Sequence, residues 1–245
     1  MLKILLHRQV DWSCAKNITL KKMLNGRWYA CIVLEFPVEE HAQNVGYEKW
    51  SEDERVGVDV GLSKLATTSD GTQFEHPRFL RKSAHKLRKE QRKLSKKKRR
   101  SKNWEKQRQR VAKVHHKIAC QRLDFLHKLS LWLVLRFSCI AFEALKIPAM
   151  VRNPRFAKSI LDAGWGTLIE LTTYKSVKLR GSVHRVDPRY TTQDCSRCGH
   201  RVPKTLAQRI HHCPKCGLVM DRDQNAALNI KNRVGVVRAE PGNSA

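Results

Sequence analysis

Cys195 and Cys198 stand three residues apart, as do Cys213 and Cys216, and a glycine follows each pair at 199 and 217. Two thiolates on one tight knuckle reach a common tetrahedral ion, and the glycine lets backbone amides approach the sulfurs. This spacing predicts a structural four-cysteine zinc ribbon. Zinc binding supplies folding energy that so short a loop cannot draw from a core. Two disulfides, or a redox pair, are the competing reading. His200, His211 and His212 lie nearby in sequence, but four thiolates already fill the shell, so these histidines are expected at the surface or facing phosphate.

Three carboxylates sit where carboxylates are costly. Asp59 lies inside Val56-Gly57-Val58-Asp59-Val60-Gly61, and Glu143 inside Ile140-Ala141-Phe142-Glu143-Ala144-Leu145. An acid in an apolar strand must be paired or bound to a cation. Either one alone could be an edge-strand acid facing water; two such strands weaken that reading. In the segment Asp221 to Ala227, Asp221 with Gln224 has the form of a capping box, which makes Asp221 the N-cap. Asp223 then shares a helix face with Ala226, Ala227 and Ile230, and its carboxylate is expected to point inward. Acids converging from two strands and a helix hold two divalent metals about 4 Å apart for phosphodiester hydrolysis: one activates water, the other stabilises the leaving 3′ oxygen. Without metal the three charges repel, so their pKa values should be raised.

The elements that must position these groups are visible as patterns. LKILLH, KNITLKKM and RWYACIVLEF read as strands, with Asn25-Gly26 as a hairpin turn. Residues 41–54 are polar and acidic and read as a linker or loop. VGVDVGL is a short apolar strand, and Asp70-Gly71 turns the chain into another. Pro77 opens a helical region dense in Lys and Arg up to Arg100. After a break at Ser101-Lys102-Asn103 a second helix runs to about Arg136, with Val111, Val114, Ile118, Phe125, Leu129 and Trp132 at helical spacing. Residues 138–145 and 181–187 read as strands, 157–178 as one helix with Leu161, Trp165, Leu168 and Leu171 on one face, and 221–233 as the closing helix. A strand bearing Asp, a hairpin, a later strand bearing Glu and a terminal helix bearing Asp is the order of an RNase H-like α/β fold.

Charge narrows the partner. Lys and Arg number 49 against 22 Asp and Glu, a net charge of +27 and a pI of about 10.2. Such an excess of cations calls for a polyanion. A hydrophobic content of 41% is enough for a packed core. The opening MLKILLHRQ is too short for a signal peptide, and the longest apolar stretch, Leu131 to Phe142, is interrupted and too short to span a bilayer. A cytoplasmic, nucleoid-associated protein with no membrane partner is expected. Cys14, Cys31, Cys120 and Cys139 are scattered singly and read as ordinary residues of a reducing compartment. In the basic helix, Lys82, Lys86, Arg88, Lys89, Arg92, Lys93, Lys96 and Lys97 are the candidate nucleic-acid contacts, positioning backbone without reading sequence. A solvated helix face is the bland alternative.

Taken in order, these segments resemble the TnpB family of transposon-encoded RNA-guided nucleases, relatives of the type V CRISPR effectors. VGVDVGLSKLATTSDG resembles the first RuvC motif, AFEAL the second and DRDQNAALNI the third; TTQDCSRCGH with HHCPKCG resembles the family's zinc ribbon, and HHKIACQRLDFLHKLS its basic hairpin. The resemblance implies Asp59, Glu143 and Asp223 as the magnesium-binding catalytic triad, with structural zinc and with DNA and guide RNA as partners. It implies a RuvC core with an inserted basic hairpin and zinc ribbon, behind a partial N-terminal β-barrel. The implied domains are a barrel remnant and linker at 1–54, a core at 55–194 containing the hairpin 78–136, the ribbon at 195–217 and a final core segment with tail at 218–245. Residues 1–40 resemble only the closing strands of that barrel, so a chain truncated at its N-terminus is expected. Two functions follow: a metal-dependent DNA endonuclease of a mobile element, or a truncated nucleic-acid-binding remnant or regulator without guided cleavage. A free-standing zinc-ribbon protein leaves the three acids unexplained.

Overall fold

Ala15–Lys22 (β1), with Ile18 and Thr19 at its centre, and Trp28–Leu34 (β2), rich in aromatic and β-branched residues, pair antiparallel around Asn25-Gly26. Gly26 donates its N–H to the Met23 carbonyl at 2.9 Å, and the Asn25 side chain accepts from the Arg27 amide at 2.9 Å, as the sequence predicts for a turn. The computed structural model describes residues 5–6, 9–35, 50, 54–205 and 207–234. Most of the expected strand LKILLH, most of the 41–54 linker and the tail from 235 therefore lie outside the described residues.

The chain divides into two compact units, one within Met1–Tyr47 and Phe79–Leu123, the other within Glu48–Arg78 and Asp124–Ala245. Beside β1 and β2, the first holds the basic hairpin. Its helices are α1 (Phe79–Ser95) and the opening turns of α2 (Lys102–Arg136), a single helix of 35 residues. Leu87, Val114 and Ile118 meet between them, with Phe79, Leu80 and Val111 packed around. Gln107 reaches across to donate to the Glu90 carbonyl at 3.0 Å and to its carboxylate at 2.7 Å, which pins the two helices together.

The second unit is built on a five-stranded mixed sheet. Its strands are β3 (Arg55–Val60), β4 (Lys64–Thr68), β5 (Gln73–Glu75), β6 (Cys139–Glu143) and β7 (Ser182–Val186), in the order β5-β4-β3-β6-β7. β3, β4 and β5 pair antiparallel in sequence; β3 with β6 and β6 with β7 pair parallel. Parallel pairing demands a long crossover. The first crossover is the helical hairpin. The second comprises α3 (Ile147–Met150), α4 (Pro154–Ala163) and α5 (Trp165–Lys178). β3, β4 and β6 are near-continuously buried, as expected of strands covered on both faces. Toward its end α2 buries Leu126, Leu129, Leu133 and Val134.

The single helix expected over 157–178 is two. Gly164 adopts φ 69°, ψ 36°, a left-handed conformation open to glycine at little cost, and it both ends α4 and precedes α5. The break rotates Leu161 away from the face of Trp165 and Leu168: Leu161 is exposed while the other two are buried. A short antiparallel pair, β8 (Ile210–His212) with β9 (Val219–Asp221), leads into the last helix, α6 (Arg222–Arg233). α6 lies on the sheet with Ala226, Ala227 and Ile230 fully buried.

Contact with the sheet is close at Gly57. A Cβ there would stand 2.0 Å from the Ala227 carbonyl oxygen and 2.5 Å from the Lys231 nitrogen, so only glycine lets β3 and α6 approach this far.

Candidate functional site

Strand register brings the first two acids together. Val58 pairs with Phe142 across the parallel ladder of β3 and β6, which makes Asp59 and Glu143 the next residues on adjacent strands. Both are buried, at 9% and 8% exposure. The third comes from α6. Asp221 is its N-cap, as expected, accepting from the amides of Asp223 at 2.9 Å and Gln224 at 3.0 Å. That cap places Asp223 in the first turn, on the helix packed against β3.

Burial, then the charges of Glu143 and Asp223, push the Asp59 carboxyl well above its ordinary range, with the Arg222 guanidinium opposing them. Burial also raises Glu143, opposed by the Thr191 hydroxyl and by Arg233. Asp223 is held by Arg222, whose Nε and Nη2 donate to Oδ1 at 3.0 and 2.8 Å, and Arg209 stands 3.8 Å from its other oxygen. Two buried carboxylates on adjacent strands, with a third acid in the first turn of the helix packed on them, are a donor set suited to a hard divalent cation. As they stand, the three do not bring their oxygens within 4.8 Å of one another; among the described residues the cysteine quartet is the one group of three or more ligand-type side chains that does.

That quartet fits zinc closely. Cys195 Sγ lies 3.6 Å from Cys216 Sγ, and Cys198 Sγ 3.6 Å from Cys213 Sγ. Zn–S bonds of ~2.3 Å arranged tetrahedrally require sulfurs about 3.8 Å apart. No two sulfurs are at bonding distance, so the disulfide reading fails: all eight cysteines are free. The two knuckles have the same backbone, Gly199 and Gly217 each at φ 71° and each donating to the first cysteine of its pair at 2.9 Å. Burial raises the Cys213 thiol, but amides of Cys216 and Lys215 and the neighbouring sulfurs bring it down to about 6. Cys216, despite an amide from Leu218, is pushed up to about 12 by burial and the three sulfurs around it. The cluster thus accommodates a first thiolate readily and resists the last, the behaviour of a site that a cation completes.

His211 does not face solvent or phosphate as the sequence reading expected. It is fully buried in β8, and Lys204 donates to its Nδ1 while also donating to the Thr192 carbonyl at 2.7 Å. His200 and His212 are exposed, in line with expectation.

The candidate nucleic-acid contacts lie on the hairpin. Lys82, Lys86 and Lys93 line a groove of about 710 Å³ together with Arg110, Lys113 and Lys117 of α2. Arg88, Lys89, Arg92, Lys93 and Lys96 line a second hollow of about 300 Å³, one helical stripe away. Lys97 lies beyond α1 and lines neither. In the sequence the apolar stripe is the dominant signal of α2 and leaves its three cations unmarked. Thr191, Asn225 and Asn229 were also missed. The signal for the last two was available: amides four residues apart on the buried face of a helix otherwise lined by Ala and Ile.

The OrfB_IS605 model, described as "Probable transposase", matches residues 35–154, and the Cas12f1-like TNB domain matches 165–230. A protein of Escherichia coli (strain K12) named "Putative RNA-guided DNA endonuclease InsQ" is 35% identical over 239 residues, covering 91% of this chain and 57% of that protein. A Streptomyces pristinaespiralis protein of the same RNA-guided DNA endonuclease name is 33% identical over 216 residues, covering 87% of this chain and 52% of its own length. The TnpB-like protein L79 of Acanthamoeba polyphaga mimivirus is 30% identical over 136 residues. The chain thus spans little more than half the length of the first two relatives. A solved Cas12f1-sgRNA-target DNA complex matches in fold with a TM-score of 0.50 at 18% identity, over 72% of this chain and 49% of that one.

Proposed function

The chain belongs to the TnpB family, and we propose on that premise that it carries the nuclease centre of an RNA-guided, divalent-metal-dependent DNA endonuclease of a mobile element. What supports this reading is the placement of the acids: Asp59 and Glu143 stand on adjacent strands β3 and β6, and Asp223 lies in the first turn of α6, which packs on β3.

In this reading the mixed sheet is an RNase H-like (RuvC) core occupying 55–194 and closed by 218–245, with the hairpin 78–136 and the zinc ribbon 195–217 inserted. The β1–β2 hairpin belongs to a β-barrel. Cys195, Cys198, Cys213 and Cys216 hold one structural zinc. Asp59, Glu143 and Asp223 would hold magnesium, whose chemistry there would be activation of water and stabilisation of the leaving 3′ oxygen. The chain's own residues set the conditions for that chemistry. β3 and β6 present two carboxylates from a rigid, dry sheet, and α6 adds the third. Arg222 neutralises the Asp223 carboxylate. Lys and Arg along the hairpin hold a sugar-phosphate backbone without reading its bases.

The test is cleavage of plasmid and single-stranded DNA in Mg²⁺ by the wild type and by Asp59→Ala. Cleavage by the wild type alone is expected; equal cleavage by both sinks the assignment. A second reading draws on the cation-lined groove of the hairpin. In it the protein binds nucleic acid without cutting, and its affinity falls steeply with salt. Product at stoichiometric enzyme argues against that alternative.

A further inference from the structure

Between the cysteine quartet and the carboxylates runs a buried polar path that neither centre by itself requires. Thr191 is 2% exposed. Its Oγ1 donates to Glu143 Oε1, a contact spanning 48 residues of sequence. The Pro188 carbonyl, at 3.2 Å, is the alternative acceptor for the same hydroxyl. A hydroxyl has one proton, and the charged carboxylate is the stronger claim on it.

The backbone of Thr191 is held in its turn. Asn229 Nδ2 donates to the Thr191 carbonyl at 2.8 Å and to the Asp194 carbonyl at 2.7 Å. Asn225 Nδ2 donates to the same Asp194 carbonyl at 2.8 Å, and its Oδ1 accepts from the Ser196 amide at 3.0 Å. Both asparagines belong to α6, four residues apart, and both are buried. Residues 191–196, which contain the first zinc-type cysteine, are therefore stitched along the helix that carries Asp223. Arg233, from the end of the same helix, adds an ion pair to Asp194 at 3.5 Å.

Buried amides and hydroxyls are retained only when each finds a partner. Here every partner lies on the route from the first knuckle to Glu143. A bare structural tie would be satisfied by backbone acceptors alone. This one ends on a carboxylate.

We propose that Thr191 is a positioning residue for Glu143: its hydroxyl takes Oε1 and fixes the plane of the carboxylate, leaving Oε2 as the oxygen offered to a divalent cation. Asn229 holds Thr191 at that station and Asn225 holds the stem beyond it at Asp194 and Ser196, so the ribbon stem orients one acid while the helix it is sewn to carries another. The inference rests on the reading of the three acids as a metal centre. Such outer partners of a ligating carboxylate typically govern metal affinity 10–100-fold.

Three replacements at one position separate the hydroxyl from the shape. Thr191→Val keeps the volume and removes the donor; Thr191→Ser keeps the donor; Thr191→Cys keeps most of the volume with a weak donor. The full-length proteins are titrated with Mn²⁺ and free ion is followed by its paramagnetic resonance signal. Asp59→Ala defines the carboxylate-dependent part of binding. Zinc per chain and the thermal midpoint are measured alongside. Thr191→Val should bind Mn²⁺ roughly 10–100-fold more weakly with its zinc retained. Thr191→Ser should bind nearly as the wild type does, and Thr191→Cys should fall between. If Thr191→Val loses its zinc or its cooperative transition, the comparison of Cys with Ser carries the test. Wild-type affinity in Thr191→Val, or in Thr191→Cys, or equal losses in the Ser and Val proteins, overturns the positioning role alone. Identical Mn²⁺ binding by wild type and Asp59→Ala overturns the metal-centre reading and this proposal with it.

Discussion

Replacing Gly57 by alanine should move two of the three acids at once. The added Cβ would meet the Ala227 carbonyl oxygen at 2.0 Å and the Lys231 nitrogen at 2.5 Å. Both are backbone atoms, four residues apart on α6, so the methyl group wedges into a helical hydrogen bond and no side chain can swing aside. Real Cβ contacts essentially never fall below 3.0 Å, so strand and helix must separate by at least 3.0 − 2.0 = 1.0 Å. Overpacking of this kind costs about 1–3 kcal/mol, which for a chain of this size lowers Tm by roughly 2–12 °C. The larger effect is on chemistry. Asp59 lies two residues along β3 and Asp223 lies one turn back on α6, and a 1 Å misplacement of reacting groups costs about 100-fold in rate. Single-turnover cleavage and a thermal melt measure the two consequences on one preparation. Gly61→Ala is the control, since its Cβ would meet only the Lys64 carbonyl, at 3.1 Å, and both losses should be far smaller. A Gly57→Ala protein with wild-type Tm and wild-type rate would refute the packing of α6 on β3 as the device that places Asp223.

Asp59→Asn should abolish metal-dependent cleavage yet raise the Tm of the metal-free protein at neutral pH. A carboxyl raised by burial and by its acidic neighbours destabilises the fold progressively as pH rises from the ordinary carboxylate range through its folded-state pKa. The gain in Asp59→Asn should therefore shrink as pH falls through that window, and melts at a series of pH values check it. Metal binding needs the ionised form, so Mn²⁺ affinity of the wild type should fall over the same range. Cys213→Ser should release zinc and weaken cleavage as well as nucleic-acid binding, because the stem at Thr191 to Ser196 is tied to α6; zinc content and cleavage read together decide this, and unimpaired cleavage would make the ribbon an independent module. Lys82→Gln, Lys113→Gln and Lys117→Gln, which sit in one groove, should each lower the slope of log K against log salt by about 1 for duplex DNA. An unchanged slope in a fluorescence-anisotropy titration would place the backbone elsewhere.

Much of the candidate site is legible in the sequence because its signals are local. VGVDVG and AFEAL stand out as acids in apolar runs, the two Cys-x-x-Cys-Gly units as metal knuckles, and Asp221 as a cap three residues before Gln224. Each is set by neighbours within a few residues. What the sequence hides depends on distance. The Thr191 hydroxyl meets Glu143 across 48 residues, and the Asn229 amide meets Thr191 across 38. The reason for Gly57 lies in the backbone of a helix that begins at Arg222. His211 reads as one of a pair of polar residues in HH, yet register with Met220 on β9 and a bond from Lys204 put it inside. Gly164 was visible, but its sign was not: apolar spacing over 157–178 is compatible with one helix, and only a left-handed φ makes two. Among the described residues no helix is long and apolar enough to cross a membrane, in keeping with the short interrupted stretch from Leu131 to Phe142.

Anomalous diffraction from crystals grown with Mn²⁺ tests the centre most directly. The account predicts manganese peaks bounded by Asp59, Glu143 and Asp223, about 4 Å apart where two are bound, with Arg222 withdrawn from Asp223 and a zinc edge signal among the four cysteines. Manganese bound elsewhere, with Arg222 still closed on Asp223 at saturating ion, would contradict it.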